Sequence, residues 1–127
     1  FDVLWEIPPE VERCKIIRIV LQPLVENAIY HGIKPLTNKG LIRIRGRILS
    51  ESVELVVSDN GLGMTEQELE ILRQNMRSDM IKESRHIGVT NVNQRLRLCF
   101  GEEYGLLVES TEGKGTEVMV RIPRIEN

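Results

Sequence analysis

Leu55-Val56-Val57-Ser58-Asp59-Asn60-Gly61-Leu62-Gly63-Met64 carries an apolar, strand-like run into a single carboxylate and then into a turn with two glycines. Successive side chains of a strand alternate between faces, so Val53, Leu55, Val57 and Asp59 share one side and the acid is directed toward the core. A core-facing carboxylate is costly unless a donor meets it. The exocyclic amine of adenine is such a donor, and the run reads as one wall of an adenine pocket. Gly61 and Gly63 let the backbone turn tightly beside a flat ligand. Taken alone, Asp-x-Gly-x-Gly also fits an ordinary strand-end turn, so its meaning depends on what flanks it.

Three further stretches flank it in a set order. Gln22-Pro23-Leu24-Val25-Glu26-Asn27-Ala28-Ile29-Tyr30-His31-Gly32 lies upstream; His86-Ile87-Gly88-Val89-Thr90-Asn91-Val92 and Glu112-Gly113-Lys114-Gly115-Thr116 lie downstream. With four boxes in this order, the chain resembles the ATP-binding catalytic domain of sensor histidine kinases, in the superfamily shared with gyrase B, the heat-shock chaperone ATPase and MutL. The run from Leu21 to Pro35, LQPLVENAIYHGIKP, is most similar to the LytS/YesM-type branch of bacterial sensor kinases. The resemblance covers residues 12–123, nearly the whole chain.

At 127 residues the chain suits one domain, 1–127, with one hydrophobic core. Hydrophobic residues at 41% and charged residues at 28% place it among globular chains, and a net charge of −2 exerts no global pull toward nucleic acid. Arg43, Arg45 and Arg47 alternate with Ile42, Ile44 and Ile48. That pattern describes a strand with one wet face and leaves open a basic patch for a polyanion. Cys14 and Cys99 lack metal-ligand spacing and a short secreted scaffold, so reduced, cytosolic thiols are expected. No apolar run approaches the roughly 20 residues needed to cross a bilayer. The chain opens at Phe1 inside a strand-like stretch to Ile7, which reads as a piece cut from a longer, membrane-bound protein.

The spacing of Ile17, Val20, Leu21, Leu24 and Ala28 predicts a helix over 16–31, with Pro23 as a kink or second start and Gly32 and Pro35 as its end. Residues 41–50 and 52–59 alternate as two strands of a hairpin. Thr65-Glu66-Gln67-Glu68 is a capping box that opens a helix to about Asn75. Residues 78–86 are polar and non-periodic, as in a mobile loop. Val89, Val92, Leu96 and Cys99 share a helix face that Gly101 terminates, and residues 106–111 and 116–122 form a closing strand pair. Helices bracket strands without regular alternation, so the expected class is α+β: a two-layer sandwich with a mixed, mostly antiparallel sheet and helices on one face. The resemblance implies the same architecture, the Bergerat-type ATP-binding fold.

The resemblance also implies roles. Asn27 would complete the shell of a Mg²⁺ held by triphosphate oxygens, a task its neutral amide oxygen can perform; a helix Asn bonded to nearby backbone is the other reading. Glu26 either anchors the helix or touches Mg²⁺-bound water. Gyrase-like and MutL-like relatives carry a general-base Glu four residues before the Asn, where this chain has Pro23, and proline cannot activate water. Tyr30 stands where many relatives have Lys, leaving His31 and Lys34 as phosphate contacts, although His31 also suits a helix-end cap. Gly88 and Val89 would open the last helix beneath the phosphates, with Asn91 as a local cap in the purely structural reading. His86 replaces a usual glycine and would narrow that loop. Residues 73–87 would form a lid over ATP. Thr116 has the parity of Val118, Val120 and Ile122 and points inward toward Asp59, either against adenine or bonded to backbone; Gly115 shapes the turn before it, and Lys114 is either solvated or phosphate-bound.

The implied reaction moves the γ-phosphoryl of Mg·ATP to a His on a separate dimerisation domain, which passes it to a response-regulator Asp. No catalytic residue is expected within the chain, because the phosphoacceptor His would lie outside it. Expected partners are that domain and the response regulator, with no nucleic acid, in a membrane-anchored homodimer whose kinase part is cytoplasmic. Two alternatives stand beside this: a gyrase- or chaperone-like ATPase clamp, which Pro23 argues against, and a non-catalytic interaction module that has lost nucleotide, for which Tyr30 and His86 are the motive.

Overall fold

A computed structural model describes residues 2–12, 15–33, 40–77 and 87–123 of the chain. Lys34, Pro35, Cys14, His86 and the expected loop over 78–86 lie outside the described residues.

One five-stranded sheet runs in the order β1-β2-β3-β5-β4. The strands are β1 (Asp2–Glu6), β2 (Leu41–Ile48), β3 (Ser52–Asp59), β4 (Leu107–Thr111) and β5 (Gly115–Pro123). β1 pairs parallel with β2 and every other pairing is antiparallel, which bears out the mixed sheet. β2 and β3 form the expected hairpin, closed where the Leu49 amide donates to the Ser52 carbonyl at 2.8 Å.

Among the described residues four α-helices supply the cover: α1 (Pro9–Glu12), α2 (Lys15–Asn27), α3 (Glu66–Arg77) and α4 (Ile87–Phe100). Inward residues of the central strands, Ile42, Ile44, Val53, Leu55, Val57, Val118, Val120 and Ile122, pack with Val20, Leu21, Leu24, Leu69, Leu72, Val89, Val92 and Leu96 in one cluster. Gly46 makes room there, since a methyl group on it would stand 3.2 Å from both Leu55 and Val11. α1 therefore sits close over β2.

The opposite face of the sheet is charged. Arg43 pairs with Glu6, Arg47 Nε meets Glu54 Oε1 at 2.8 Å, and Arg45 Nη2 lies 3.5 Å from Glu117 Oε2. Each arginine of β2 thus faces an acid, so the wet-face reading holds and no uncompensated basic patch forms along this strand. The Arg43–Glu6 pair is exposed, and pairs of that kind stabilise little, whereas Glu54 is buried beneath Arg47.

Three expectations need correction. Pro23 does not restart its helix, because α2 runs continuously through it. Gly32 does not end the helix: after Asn27 the chain widens into a π-helical segment, Ala28–Ile33, which carries it through Gly32 with Ala28, Gly32 and Ile33 buried. Cys99 is exposed rather than on the buried face. The buried stripe of α4 continues from Leu96 to Phe100, four residues on, because that step keeps a side chain nearer the same face than a step of three.

The capping box forms as expected. The Glu68 amide donates to Thr65 Oγ1 at 3.1 Å, and the Thr65 amide donates to Glu68 Oε1 at 3.3 Å. α3 then reaches Arg77, so residues 73–77 of the expected lid are helix. Its last turn is held by α4: the Met76 carbonyl accepts from Asn93 Nδ2 and from Arg97 Nη1, both at 2.9 Å. Asn93, only 3% exposed, also accepts from the Leu106 amide at 2.7 Å.

Candidate functional site

The inner ends of β3 and β5, the turn at 60–65 and the π-helical segment enclose a cavity of about 280 Å³. Asn27, His31, Gly32, Asp59, Leu62, Gly63, Met64, Glu68, Glu112, Gly113 and Thr116 line it. Four side chains singled out by spacing and by resemblance, or their backbone, thus meet here: Asn27, His31, Asp59 and Thr116, with Gly63 beside them.

Asp59 and Thr116 are direct cross-strand partners, and Ser110 pairs with Thr116 on its other side. The three side chains form one inward row across β3, β5 and β4. Asp59 Oδ1 accepts from the Gly61 amide at 2.8 Å. Burial pushes the Asp59 carboxyl above its ordinary value of 3.8, while the amides of Gly61 and Thr116 pull in the other direction without cancelling the rise. The site therefore keeps an acceptor that is short of water and ready for a donor.

The walls are backbone against backbone. A methyl group added at Gly61 would stand 2.2 Å from the Gly32 carbonyl carbon and oxygen, and one at Gly32 would stand 2.6 Å from Asp59 Oδ1. The Leu62 amide donates to the Gly32 carbonyl at 3.1 Å across this crossing. Gly115, at φ 126°, presses on the Asp59 carbonyl, and Gly63, at φ 69°, on that of Thr111. Only residues without Cβ bring these segments so close. Asn60 fastens the rim, since its amide donates to the Leu41 carbonyl at 3.2 Å and its Oδ1 accepts from the Leu41 amide at 2.7 Å.

Other expected residues lie elsewhere. Glu26 is exposed and accepts from Gln22 Nε2 at 3.2 Å, outside the cavity lining. Val89 is buried in the core, leaving only its backbone for a ligand. Gly88 does not line the cavity, but its Cα faces the Pro23 carbonyl, with 3.9 Å from the position of a Cβ. Pro23 is one turn before Asn27, so the start of α4 adjoins the same stretch of α2. Lys34 is outside the described residues.

Sequence reasoning missed Gly32, Met64, Glu68 and Ser110. Strand parity could have found Ser110, which follows Leu106 and Val108 on the buried side of its strand. The spacing of Glu68 signals only its half of the capping box with Thr65, and nothing in it signals a cavity.

The lining fits a purine nucleotide: a half-buried carboxylate with room for a further donor, backbone segments held close by glycines, and the amide side chain of Asn27 in the same lining. They do not form a metal site by themselves. Among the described residues no group of three His, Cys, Asp or Glu side chains converges to hold an ion, so Asn27 could share a divalent cation only with oxygens that a ligand brings.

The chain is similar to known proteins in both sequence and fold. The family described as histidine kinase-, DNA gyrase B-, and HSP90-like ATPase matches residues 14–126. The chain is 38% identical over 118 residues to sensor histidine kinase YesM of Bacillus subtilis, a match covering 93% of this chain and 19% of that protein. It is 36% identical over 121 residues to sensor histidine kinase YpdA of Escherichia coli, covering 95% and 20%. The chain thus spans about a fifth of the length of these relatives. In fold it is similar to the nucleotide-free catalytic domain of histidine kinase ThkA, with a TM-score of 0.68 at 20% identity, over 97% of this chain and 80% of that one.

Proposed function

This chain belongs to the histidine kinase-, DNA gyrase B- and HSP90-like ATPase family, and on that premise we propose that it is the catalytic domain of a two-component sensor kinase that binds Mg·ATP and donates the γ-phosphoryl group to a histidine on a separate dimerisation domain. The observation that carries the reading is the half-buried Asp59 carboxylate, lining one cavity together with Asn27, Gly32, Gly63 and Thr116.

In this reading Asp59 accepts from the purine amine, Gly61 and Gly63 hold the slot narrow, and Thr116 contacts the same edge. Asn27 and His31 receive the triphosphate side, with Lys34 and the first turn of α4 at Gly88 and Val89 as further contacts. Gly115 shapes the turn that brings Thr116 in. A divalent cation bound with the nucleotide supplies charge neutralisation at the phosphates, and Asn27 would hold it. The chain's own contribution is positioning: it fixes the nucleotide so that an imidazole nitrogen of the incoming domain attacks the γ-phosphorus while the bond to the bridging oxygen breaks and ADP leaves. The phosphoryl group then passes to a response-regulator Asp. The whole protein would be a membrane-anchored homodimer with this domain in the cytoplasm; no helix among the described residues is long and apolar enough to cross a membrane.

Two placements favour the kinase over a hydrolysing clamp. Pro23 occupies the turn before Asn27, and Glu26 is bonded to Gln22 away from the cavity. Calorimetric titration with ATP, with and without Mg²⁺, tests the reading. Binding strengthened by Mg²⁺, with that increment lost in Asn27→Ala, is expected. Steady hydrolysis by the isolated chain, abolished by Glu26→Ala, would support the clamp instead.

A further inference from the structure

Ser110 lies behind the cavity, and its hydrogen bonds settle what the cavity can accept. Its hydroxyl meets three groups: the Met64 amide at 2.8 Å, the Gly115 carbonyl at 3.1 Å and Thr116 Oγ1 at 2.8 Å. A hydroxyl has one hydrogen and two lone pairs. The Met64 amide can only donate, so it takes one lone pair. The Gly115 carbonyl can only accept, so it takes the hydrogen. The remaining lone pair must then receive the hydrogen of Thr116, and this is the one assignment that makes all three bonds. Thr116 has then spent its donor on Ser110 and turns only lone pairs toward the cavity. Its cross-strand neighbour Asp59, when ionised, is likewise acceptor-only.

We propose that Ser110 is a positioning residue that makes the site select 6-amino over 6-oxo purines, by holding the Thr116 hydroxyl as an acceptor beside Asp59. The inference rests on the nucleotide reading above. A 6-amino group brings two N–H donors to a row of acceptors. A 6-oxo group brings a carbonyl oxygen to the same row and leaves acceptors facing each other, which a site built on hydrogen bonds rejects strongly. Without Ser110 the Thr116 hydroxyl is free to turn and donate to the cavity, which relieves the 6-oxo ligand.

The test is the ratio of affinities for ADP and inosine diphosphate, which share every group except the 6-substituent and the N1 beside it, an acceptor in adenine and an N–H in hypoxanthine, measured by calorimetry on the wild-type chain and its variants. Wild type is expected to prefer ADP. Ser110→Ala is expected to cut that preference about tenfold, the scale of one well-placed hydrogen bond, while Ser110→Thr, which keeps the hydroxyl, retains it. Thr116→Val is expected to cut it as well, and adding Ser110→Ala to Thr116→Val to change it no further. General loosening of the pocket would weaken both ligands together, so an unchanged ratio in Ser110→Ala overturns the proposal. Should Ser110→Ala fail to fold, Thr116→Val decides alone, and a retained ratio there overturns it. Equal wild-type affinity for the two ligands overturns the selectivity but leaves the nucleotide site standing. No binding of either ligand removes both.

Discussion

The Asp59 carboxylate lies directly against the backbone of Gly32: a methyl group on Gly32 would stand 2.6 Å from Oδ1, 2.7 Å from Cγ and 2.9 Å from Oδ2. A π-helical segment and a strand end thus touch through the group that faces the cavity. Gly32→Ala must displace Asp59, whose short side chain can rotate only by giving up its bond from the Gly61 amide. The expected cost in stability is about 1–3 kcal/mol, the range for overpacking. ATP affinity measured by calorimetry should fall further than that of a surface control, and an unchanged affinity would mean that the carboxylate does not meet the ligand.

Asp59→Asn keeps the shape and an acceptor for Gly61 but loses the charge. ATP binding is expected to weaken by roughly 1–3 kcal/mol, the scale of a charge-assisted hydrogen bond, with the circular dichroism spectrum unaltered. Equal affinity in variant and wild type would reject the adenine assignment.

The raised Asp59 pKa has a defined sign. The unfolded chain releases this proton near 3.8 and the folded chain at a higher pH. Between the two the folded state holds more proton, so Asp59's contribution to stability declines as pH rises through that window. Urea unfolding at several pH values should show Asp59→Asn gaining on wild type as pH rises from the lower to the upper edge of the window. Adenosine, which has no phosphate to titrate, should bind wild type more weakly once Asp59 is protonated, and Asp59→Asn should lack that dependence.

Asn93→Leu probes the join between α3, α4 and the start of β4. The Leu106 amide would lose its partner inside the core, while the Met76 carbonyl keeps Arg97. One orphaned buried donor costs about 1–3 kcal/mol, and denaturant unfolding should register a loss of that size. A near-zero change would mean that water reaches the Leu106 amide.

Much of the architecture was legible because local pattern controls it. The alternation in β2 and β3 predicted the hairpin, and Thr65 with Glu68 predicted the start of α3. Gly32 is an ordinary stop signal by composition and predicts the end of the first long helix, whereas in the structure the π-helical segment runs through it and it closely approaches Asp59. A step of three residues from Leu96 predicts an inward Cys99, whereas the stripe takes a step of four to the partly buried Phe100.

The residues alone determined that Asp59 faces inward, since the period of a strand admits no other side once Val53, Leu55 and Val57 are buried, and the order of the four boxes identified the family. The tertiary structure decided what surrounds that carboxylate. Gly32, Met64 and Glu68 reach the cavity, and Ser110 backs it through Thr116, from separate segments of the chain, through strand register and a backbone crossing that only glycines permit. Contacts of that kind arise when separate elements pack, and no local periodicity records them.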